Sequence, residues 1–177
     1  MWRRLEPMAR HTTFRIGGPA SWYAEPCSIP ECVKAWRQAQ NLGLPVHVLG
    51  GGSNLLIDSR PLRAAVISLR HMEPRAIAVR RGLITASAGV PLPRMVQWTV
   101  RAGYTGLEFL AGVPGLVGGA ARMNAGSPQL GIGAFIASLT CLDAAGRVVT
   151  RPASRVTWAY RHCGLRDPLI LAVQFRL

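Results

Sequence analysis

The residues with the clearest chemical use form a run of bare backbone, V-L-G-G-G-S-N at Val48 to Asn54. A second small-residue stretch follows, A-G-V-P-G-L-V-G-G-A-A-R-M-N-A-G at Ala111 to Gly126. A glycine inside a strand or helix costs roughly 0.5–1 kcal/mol relative to alanine, so three in succession mark a loop whose shape outweighs that loss. Gly50, Gly51 and Gly52 can take positive φ and turn successive N–H groups toward an anion, while Ser53 adds a hydroxyl and Asn54 an amide. That is how a phosphate is cradled. Glycine-rich turns without a ligand are common, and the second stretch strengthens the case. Gly112, Gly115, Gly118 and Gly119 stand around Pro114, so a helix opening near Gly115 would start with no side chains in the way of an anion. Two common nucleotide motifs are excluded. A P-loop needs a lysine after its last glycine, and the chain's one lysine is Lys34; a dinucleotide fingerprint needs G-x-G-x-x-G, and Gly50 and Gly52 are followed by Leu55.

The charge balance points the same way. The 177 residues carry 21 basic against 8 acidic side chains, a net charge of +13, and such a field favours the arrival of anionic ligands. A nucleic acid is a poor match, because the arginines (Arg37, Arg60, Arg63, Arg80, Arg94, Arg147) are scattered and no zinc-finger, RRM or KH signature accompanies them. A solvated surface biased towards arginine stands beside the anionic-ligand reading. Cys27, Cys32, Cys141 and Cys163 form no C-x-x-C pair and His11, His47, His71 and His162 show no ligand spacing, so no metal site is expected. The opening M-W-R-R-L-E-P-M-A-R has no apolar run behind it and does not read as a signal peptide. The apolar stretch from Leu107 to Ala121 is broken by Glu108, Pro114 and its glycines, which argues against a membrane span and for a cytoplasmic protein.

The elements that must position these loops read as two lobes. Residues 1–10 read as an N-terminal arm and residues 11–72 as a β-α-β lobe. In that lobe a strand lies near Ser21 to Glu25, and Ser28 caps a helix with Glu31 in capping-box position and Pro30 in the first turn. Pro45 to Leu49 is a strand delivering the glycine loop, with further strands at Leu55 to Asp58 and Ala64 to Leu69. A polar turn between Arg70 and Arg75, at Pro74, reads as the hinge. Residues 73–177 read as an antiparallel lobe. It opens with a hairpin about Arg81-Gly82 and continues with a helix from about Pro91 to Ala102, whose buried stripe is either Met95, Thr99 and Ala102 or Val96 and Val100. Then come the small-residue helix ending near Asn124 and strands at Phe135 to Leu142, Arg147 to Arg151 and Leu169 to Leu177. This is an α+β arrangement.

Six segments in a fixed order carry a family resemblance. T-T-F-R-I-G-G-P-A at 12–20, V-L-G-G-G-S-N-L-L at 48–56, G-L-E-F-L-A-G-V-P-G at 106–115, V-G-G-A at 117–120, M-N-A-G at 123–126 and Y-R-H at 160–162 resemble the UDP-N-acetylenolpyruvoylglucosamine reductases (MurB, UDP-N-acetylmuramate dehydrogenases) of peptidoglycan precursor synthesis, from about His11 to Leu177. The resemblance implies the two-lobed FAD-binding fold of the vanillyl-alcohol-oxidase or PCMH type, with flavin between the lobes, NADPH as reductant and a nucleotide-sugar substrate. It implies cofactor contacts from Gly50, Gly51, Gly52, Ser53 and Asn54 and from Gly112, Val113, Pro114, Gly115, Gly118, Gly119 and Asn124, and a catalytic role for Arg161. An always-charged guanidinium can hold the substrate carboxylate through two parallel bonds as negative charge builds there. Tyr160 could contact the flavin or pack. Glu108 reads as holding its loop. The family's serine proton donor and its glutamate belong to a third domain after the equivalent of Leu177. The resemblance therefore implies an FAD-binding portion with negligible turnover alone, and an open face through which it could associate. Two departures stand out: S-P-Q-L-G follows M-N-A-G at Ser127 to Gly131 where the family continues A-Y-G, and Cys163 stands where the family often has serine. The alternative reading is a stand-alone flavin-binding or electron-transfer module without muramate chemistry.

Overall fold

Residues 2–7, W-R-R-L-E-P, show no apolar alternation, yet Trp2–Pro7 forms strand β1, paired antiparallel with β2 (Pro19–Ala24). The arm read at residues 1–10 is thereby corrected: β1 is a charged edge strand that turns only Glu6 fully inward, a pattern suited to an edge and invisible to a search for hydrophobic periodicity. The computed structural model describes residues 2–73 and 76–177, and the chain divides into two compact units, Met1–Met72 and Glu73–Leu177. The turn expected between Arg70 and Arg75 centres on Pro74, which with Arg75 lies outside the described residues.

In the first unit, helix α1 (Ile29–Asn41) starts at Ser28, whose Oγ accepts the Glu31 N–H at 3.4 Å, with Pro30 in the first turn. Glu31 Oε2 takes the N–H of Cys27, at 2.8 Å, so the box closes one residue early. Cys32, Ala35, Trp36 and Ala39 form the buried face, and α1 packs on β4 (Leu62–Ser68). With β3 (Val46–Leu49) the sheet order is β1-β2-β4-β3, β4 running parallel to both β2 and β3. Ala64, Ala65, Val66 and Ile67 are all buried, which is why this strand reads as a continuous apolar run. Met8, Ala20, Tyr23, Leu49 and Val66 make one core cluster. The strand expected at Leu55 to Asp58 does not form. Leu55 and Leu56 are 41% and 74% exposed, the segment is tied by the Gly18 N–H to Asp58 O bond at 2.7 Å, and no strand lies beside it among the described residues.

The second unit opens with the hairpin β5 (Ile77–Arg80) and β6 (Leu83–Ser87), joined by Arg81 at φ 52° and Gly82 at φ 75°, both positive as a tight right-twisting hairpin requires. Helix α2 (Leu92–Arg101) buries Leu92, Met95, Val96 and Thr99. The first candidate stripe holds at Met95 and Thr99 and the second at Val96: Val100 is 53% exposed and Ala102 is the exposed C-cap. Helix α3 (Val117–Arg122) packs on the sheet formed with β7 (Ile136–Leu142), β8 (Val148–Pro152) and β11 (Leu169–Phe175). That sheet is antiparallel with order β5-β6-β11-β7-β8, and its central strand β11 buries Leu169, Ile170, Leu171, Val173 and Phe175. A separate two-stranded hairpin, β9 (Trp158–Ala159) and β10 (His162–Cys163), has Tyr160 and Arg161 as its turn.

Candidate functional site

The first candidate loop leaves β3 at Leu49, whose carbonyl accepts the Leu69 N–H at 2.8 Å, and then loses all ladder pairing. Among the described residues no protein acceptor takes the backbone N–H of Gly50, Gly51, Gly52, Ser53 or Asn54. Backbone donors left without partners in this way are rare unless solvent or a ligand meets them. The loop is held by its carbonyls instead: Gly52 O accepts the Thr13 N–H at 3.0 Å and Gly51 O accepts Arg70 Nη2 at 3.4 Å. Of the three glycines only Gly52 has positive φ, 71°, and a Cβ there would fall 2.0 Å from His11 O. The sequence reading gave the triplet one job. The structure divides it, with Gly52 needed for close approach of the 11–13 backbone and Gly50 and Gly51 free to donate. Thr13 and Arg70, the residues that hold the loop, went unread because no local pattern marks a contact made across the sheet.

The second candidate loop is divided likewise. The Val117 and Gly118 N–H groups, at the start of α3, are taken by Val90 O at 2.9 Å and Ala88 O at 3.0 Å, so neither is available to an anion. A Cβ on Gly118 would lie 2.6 Å from Ala88 Cβ: this glycine serves packing. The helix starts at Val117 and not near Gly115, because Gly115 O accepts the Leu92 N–H at 2.9 Å and Leu116 bridges to Pro91. Gly119 differs from its neighbours. Among the described residues its N–H has no acceptor, it is half-buried, and a Cβ would meet nothing within 4 Å; the same open space lies beside Gly112. Val113 donates to Leu110 O at 3.0 Å, and Pro114 is exposed. Glu108 accepts the Gly106 N–H at 2.6 Å, the loop-holding role expected of it.

Asn124, read as a cofactor contact, has its side chain committed within the protein. It is buried with φ 42°, its Oδ1 accepts the Gly133 N–H at 2.9 Å, and its Nδ2 donates to Ala159 O at 2.9 Å. It therefore ties the 131–133 segment to β9. Between those two walls lies a pocket of about 270 Å³, with Ser127, Gln129, Leu130, Trp158 and Tyr160 among its lining residues. The departure at Ser127 to Gly131 forms one of its sides, closed by Ser127 Oγ, which accepts the Leu130 N–H at 3.1 Å. Arg161 stands exposed at φ 53° in the β9–β10 turn, its Cζ 5.4 Å from the Tyr160 ring centroid, and among the described residues no carboxylate pairs with it. Tyr160 is 50% exposed. The connection from β10 to β11 is fixed by Arg122, which donates to Leu165 O at 2.8 Å and Asp167 O at 2.5 Å. Asp167 in turn accepts Arg151 Nε at 2.8 Å and Nη2 at 3.0 Å. Burial, reinforced by the Asp167 charge, pushes the neighbouring Cys141 thiol up to about 12. Among the described residues no group of three or more His, Cys, Asp or Glu could hold a metal ion, and no helix is long and apolar enough to cross a membrane.

Comparison with known proteins defines the class. Residues 20–151 match the FAD binding domain family, and the chain belongs to that family. Two curated relatives bear the same name. A UDP-N-acetylenolpyruvoylglucosamine reductase of Parasynechococcus marenigrum is 38% identical over 97% of this chain and 58% of its own length. One from Moorella thermoacetica is 41% identical over 90% of this chain and 52% of its own. Among solved structures, the UDP-N-acetylenolpyruvylglucosamine reductase (MurB) of Thermus caldophilus superposes with TM-score 0.77 at 29% identity, over all of this chain and 60% of its own. The chain thus spans little more than half the length of these relatives. The expected α+β fold of the vanillyl-alcohol-oxidase/PCMH type is the fold observed.

Proposed function

We propose that the chain binds one FAD and is the flavin-carrying part of an NADPH-dependent UDP-N-acetylenolpyruvoylglucosamine reductase. The observation that carries the reading is the run of backbone N–H groups from Gly50 to Asn54 left without protein acceptors among the described residues, on a loop whose Gly51 and Gly52 carbonyls are bonded to the protein. A pyrophosphate fits such donors, and the bare faces at Gly112 and Gly119 accept close approach of a ligand that a Cβ would block. FAD, when bound, supplies the hydride for the enolpyruvyl double bond, which NADPH replenishes. This chain's own residues bind and orient. Gly50, Gly51, Ser53 and Asn54 donate to the pyrophosphate. Gly52 shapes the loop, and Gly112, Val113, Pro114, Gly115 and Gly119 line the ligand's path. Arg161, which no carboxylate among the described residues pairs with, holds the substrate's carboxylate as charge builds beside the double bond. Gly118 and Asn124 contribute by packing and clamping, not by contact.

The test is direct. FAD at 100 times its dissociation constant adds about 2.7 kcal/mol, and for a chain of this size that raises Tm by about 5–10 °C. A colourless protein whose Tm does not move with FAD refutes the reading. The second reading is a flavin-binding or electron-transfer module without muramate chemistry. The two separate when this chain replaces the matching part of a complete enzyme of the family: substrate-dependent oxidation of NADPH supports the reductase, and flavin binding without it supports the module.

A further inference from the structure

The β9–β10 hairpin of the second unit, which carries Arg161, has little of its own to hold it. It consists of two residue pairs, His162 with Ala159 and Cys163 with Trp158, closed by the Gly164 N–H to Thr157 O bond at 2.8 Å. A two-stranded ribbon is marginal at best by itself. Its inner pair is anchored by packing, with Cys163 buried and Trp158 half-buried and donating from Nε1 to Ala153 O at 3.3 Å. Ala159, Tyr160, Arg161 and His162 are all exposed. A guanidinium that is to meet a carboxylate through two parallel bonds needs a fixed backbone beneath it. Something outside the hairpin has to provide that.

The C-terminal end of α3, which packs against β10, does so with two side chains. Asn124 Nδ2 donates to Ala159 O at 2.9 Å, on the strand that enters the turn. Arg122 donates from Nη1 to Leu165 O at 2.8 Å and from Nη2 to Asp167 O at 2.5 Å, on the chain that leaves the hairpin. The two thus hold the chain before and after the Tyr160–Arg161 turn. Asn124 sits at φ 42°, a conformation that asparagine tolerates better than most residues with a side chain. Space has been cleared around its amide. A Cβ on Gly131 would fall 2.3 Å from Asn124 Oδ1, and one on Gly133 would fall 2.4 Å from the Trp158 ring and 2.9 Å from the same Oδ1, while neither glycine has positive φ. Oδ1 accepts the buried Gly133 N–H at 2.9 Å, so one amide joins the two walls of the pocket of about 270 Å³, with Gly131 and Gly133 on one side and Trp158, Ala159 and Tyr160 on the other.

We propose that Arg122 and Asn124 are positioning residues for Arg161: from the end of α3 they fix the Tyr160–Arg161 turn beside this pocket, so that the guanidinium meets the substrate carboxylate already aligned. Both act through the backbone of the hairpin and its exit. The proposal rests on the role given to Arg161 above. Its size follows from geometry, since a displacement of about 1 Å at a reacting group can cost about 10²-fold in rate.

Asn124→Asp separates the two ends of the amide, because a carboxylate still accepts the Gly133 N–H but cannot donate to Ala159 O. In the ¹⁵N-labelled chain the backbone order parameters of Tyr160 and Arg161 are expected to fall from about 0.85 to below about 0.6 while that of Gly133 stays high; unchanged values at both turn residues overturn the proposal. The second arm uses a complete enzyme of the family in which this chain replaces the matching part. There Asn124→Asp is expected to leave the flavin Kd unchanged and to slow flavin reoxidation by substrate about 10- to 100-fold. In an Arg161→Met background the same substitution should cost nothing further, since the group being positioned is gone. An equal loss in that background marks a general disturbance of the fold and refutes the positioning role. If Asn124→Asp fails to fold, Arg122→Lys carries both arms, because an ammonium cannot serve Leu165 O and Asp167 O as the guanidinium fork does. Arg161→Met with an unchanged reoxidation rate overturns the role given to Arg161 above and this proposal with it; a slowed Arg161→Met beside an unslowed Asn124→Asp overturns this proposal alone.

Discussion

Replacing Gly119 with alanine adds one methyl group, and the structure fixes what that methyl can touch. Within the protein it touches nothing, since the Cβ position has no heavy atom within 4 Å, and Gly119 lies inside α3 with φ on the helical side. Alanine in place of glycine inside a helix gains about 0.5–1 kcal/mol, so the variant should be as stable as the parent or melt up to about 4 °C higher for a chain of this size. If the open face is where the flavin lies, the methyl intrudes on a tightly packed ligand at about 1–3 kcal/mol, or about 5- to 150-fold in Kd. Gly52→Ala is the counterpart. Its methyl meets His11 O at 2.0 Å with φ at 71°, so it either displaces the 11–13 backbone or breaks the Thr13 bond. A non-glycine residue forced into such a conformation costs about 1–3 kcal/mol and the lost bond about 0.5–1.5 kcal/mol, together about 5–15 °C in Tm. The assay is thermal melting of the flavin-free protein followed by FAD titration of its quenched fluorescence. Gly119→Ala with unchanged melting and unchanged Kd refutes the placement of the ligand beside α3. Gly52→Ala that melts like the parent refutes the division of the glycine triplet.

Arg161→Lys in a complete enzyme of this family should leave flavin binding intact and slow flavin reoxidation by substrate about 10²- to 10³-fold, the usual size for one anion-stabilising donor; unchanged stopped-flow rates remove Arg161 from the reaction. Cys32 and Cys141 are buried with thiols pushed up to about 12 and Cys163 is buried, whereas Cys27 is exposed, so a thiol reagent at pH 8 should modify one cysteine in the native chain and all four in denaturant. More than one fast-reacting thiol in the native state contradicts the packing of α1, β7 and β10. Asn124→Ala strands the buried Gly133 N–H and removes the donor to Ala159 O, at about 1–3 kcal/mol for the stranded group; the flavin-free protein should melt several degrees lower, and a change in FAD affinity without one restores the ligand-contact reading.

How much of this was legible follows from the range of each interaction. The hairpin at Arg81-Gly82, the Ser28 cap and the α2 face are set by residues within four or so of one another, and all three read correctly to within a residue or a stripe. Leu55 to Asp58 failed because a strand is defined by its neighbour. L-L-I-D has the composition of one but forms no strand ladder among the described residues, and its leucines stay exposed. β1 failed for the opposite reason: the sequence W-R-R-L-E-P lacks the pattern, and the partner strand β2 supplies what the pattern does not.

The glycine-rich motifs are more instructive, because a motif records that residues are needed together without recording for what. In G-G-G-S-N the second and third glycines look alike, yet only the third has positive φ and His11 O within 2.0 Å of where its Cβ would fall, while no protein acceptor among the described residues takes the N–H of the second. In V-G-G-A the first is fitted to Ala88 and the second is open. In M-N-A-G the asparagine, the one residue of the four with a side chain able to contact a ligand through a hydrogen-bonding amide, spends both ends of that amide on the protein. A site that holds an anion with backbone N–H groups must freeze that backbone by other means, so part of every such motif has to face inward. In the first unit Gly52, and in the second Gly118 and Asn124, face inward, and each meets a residue far off in sequence: His11, Ala88 and Ala159. The long-range partner, which the sequence alone does not display, is what separates a residue that binds from one that lets its neighbour bind.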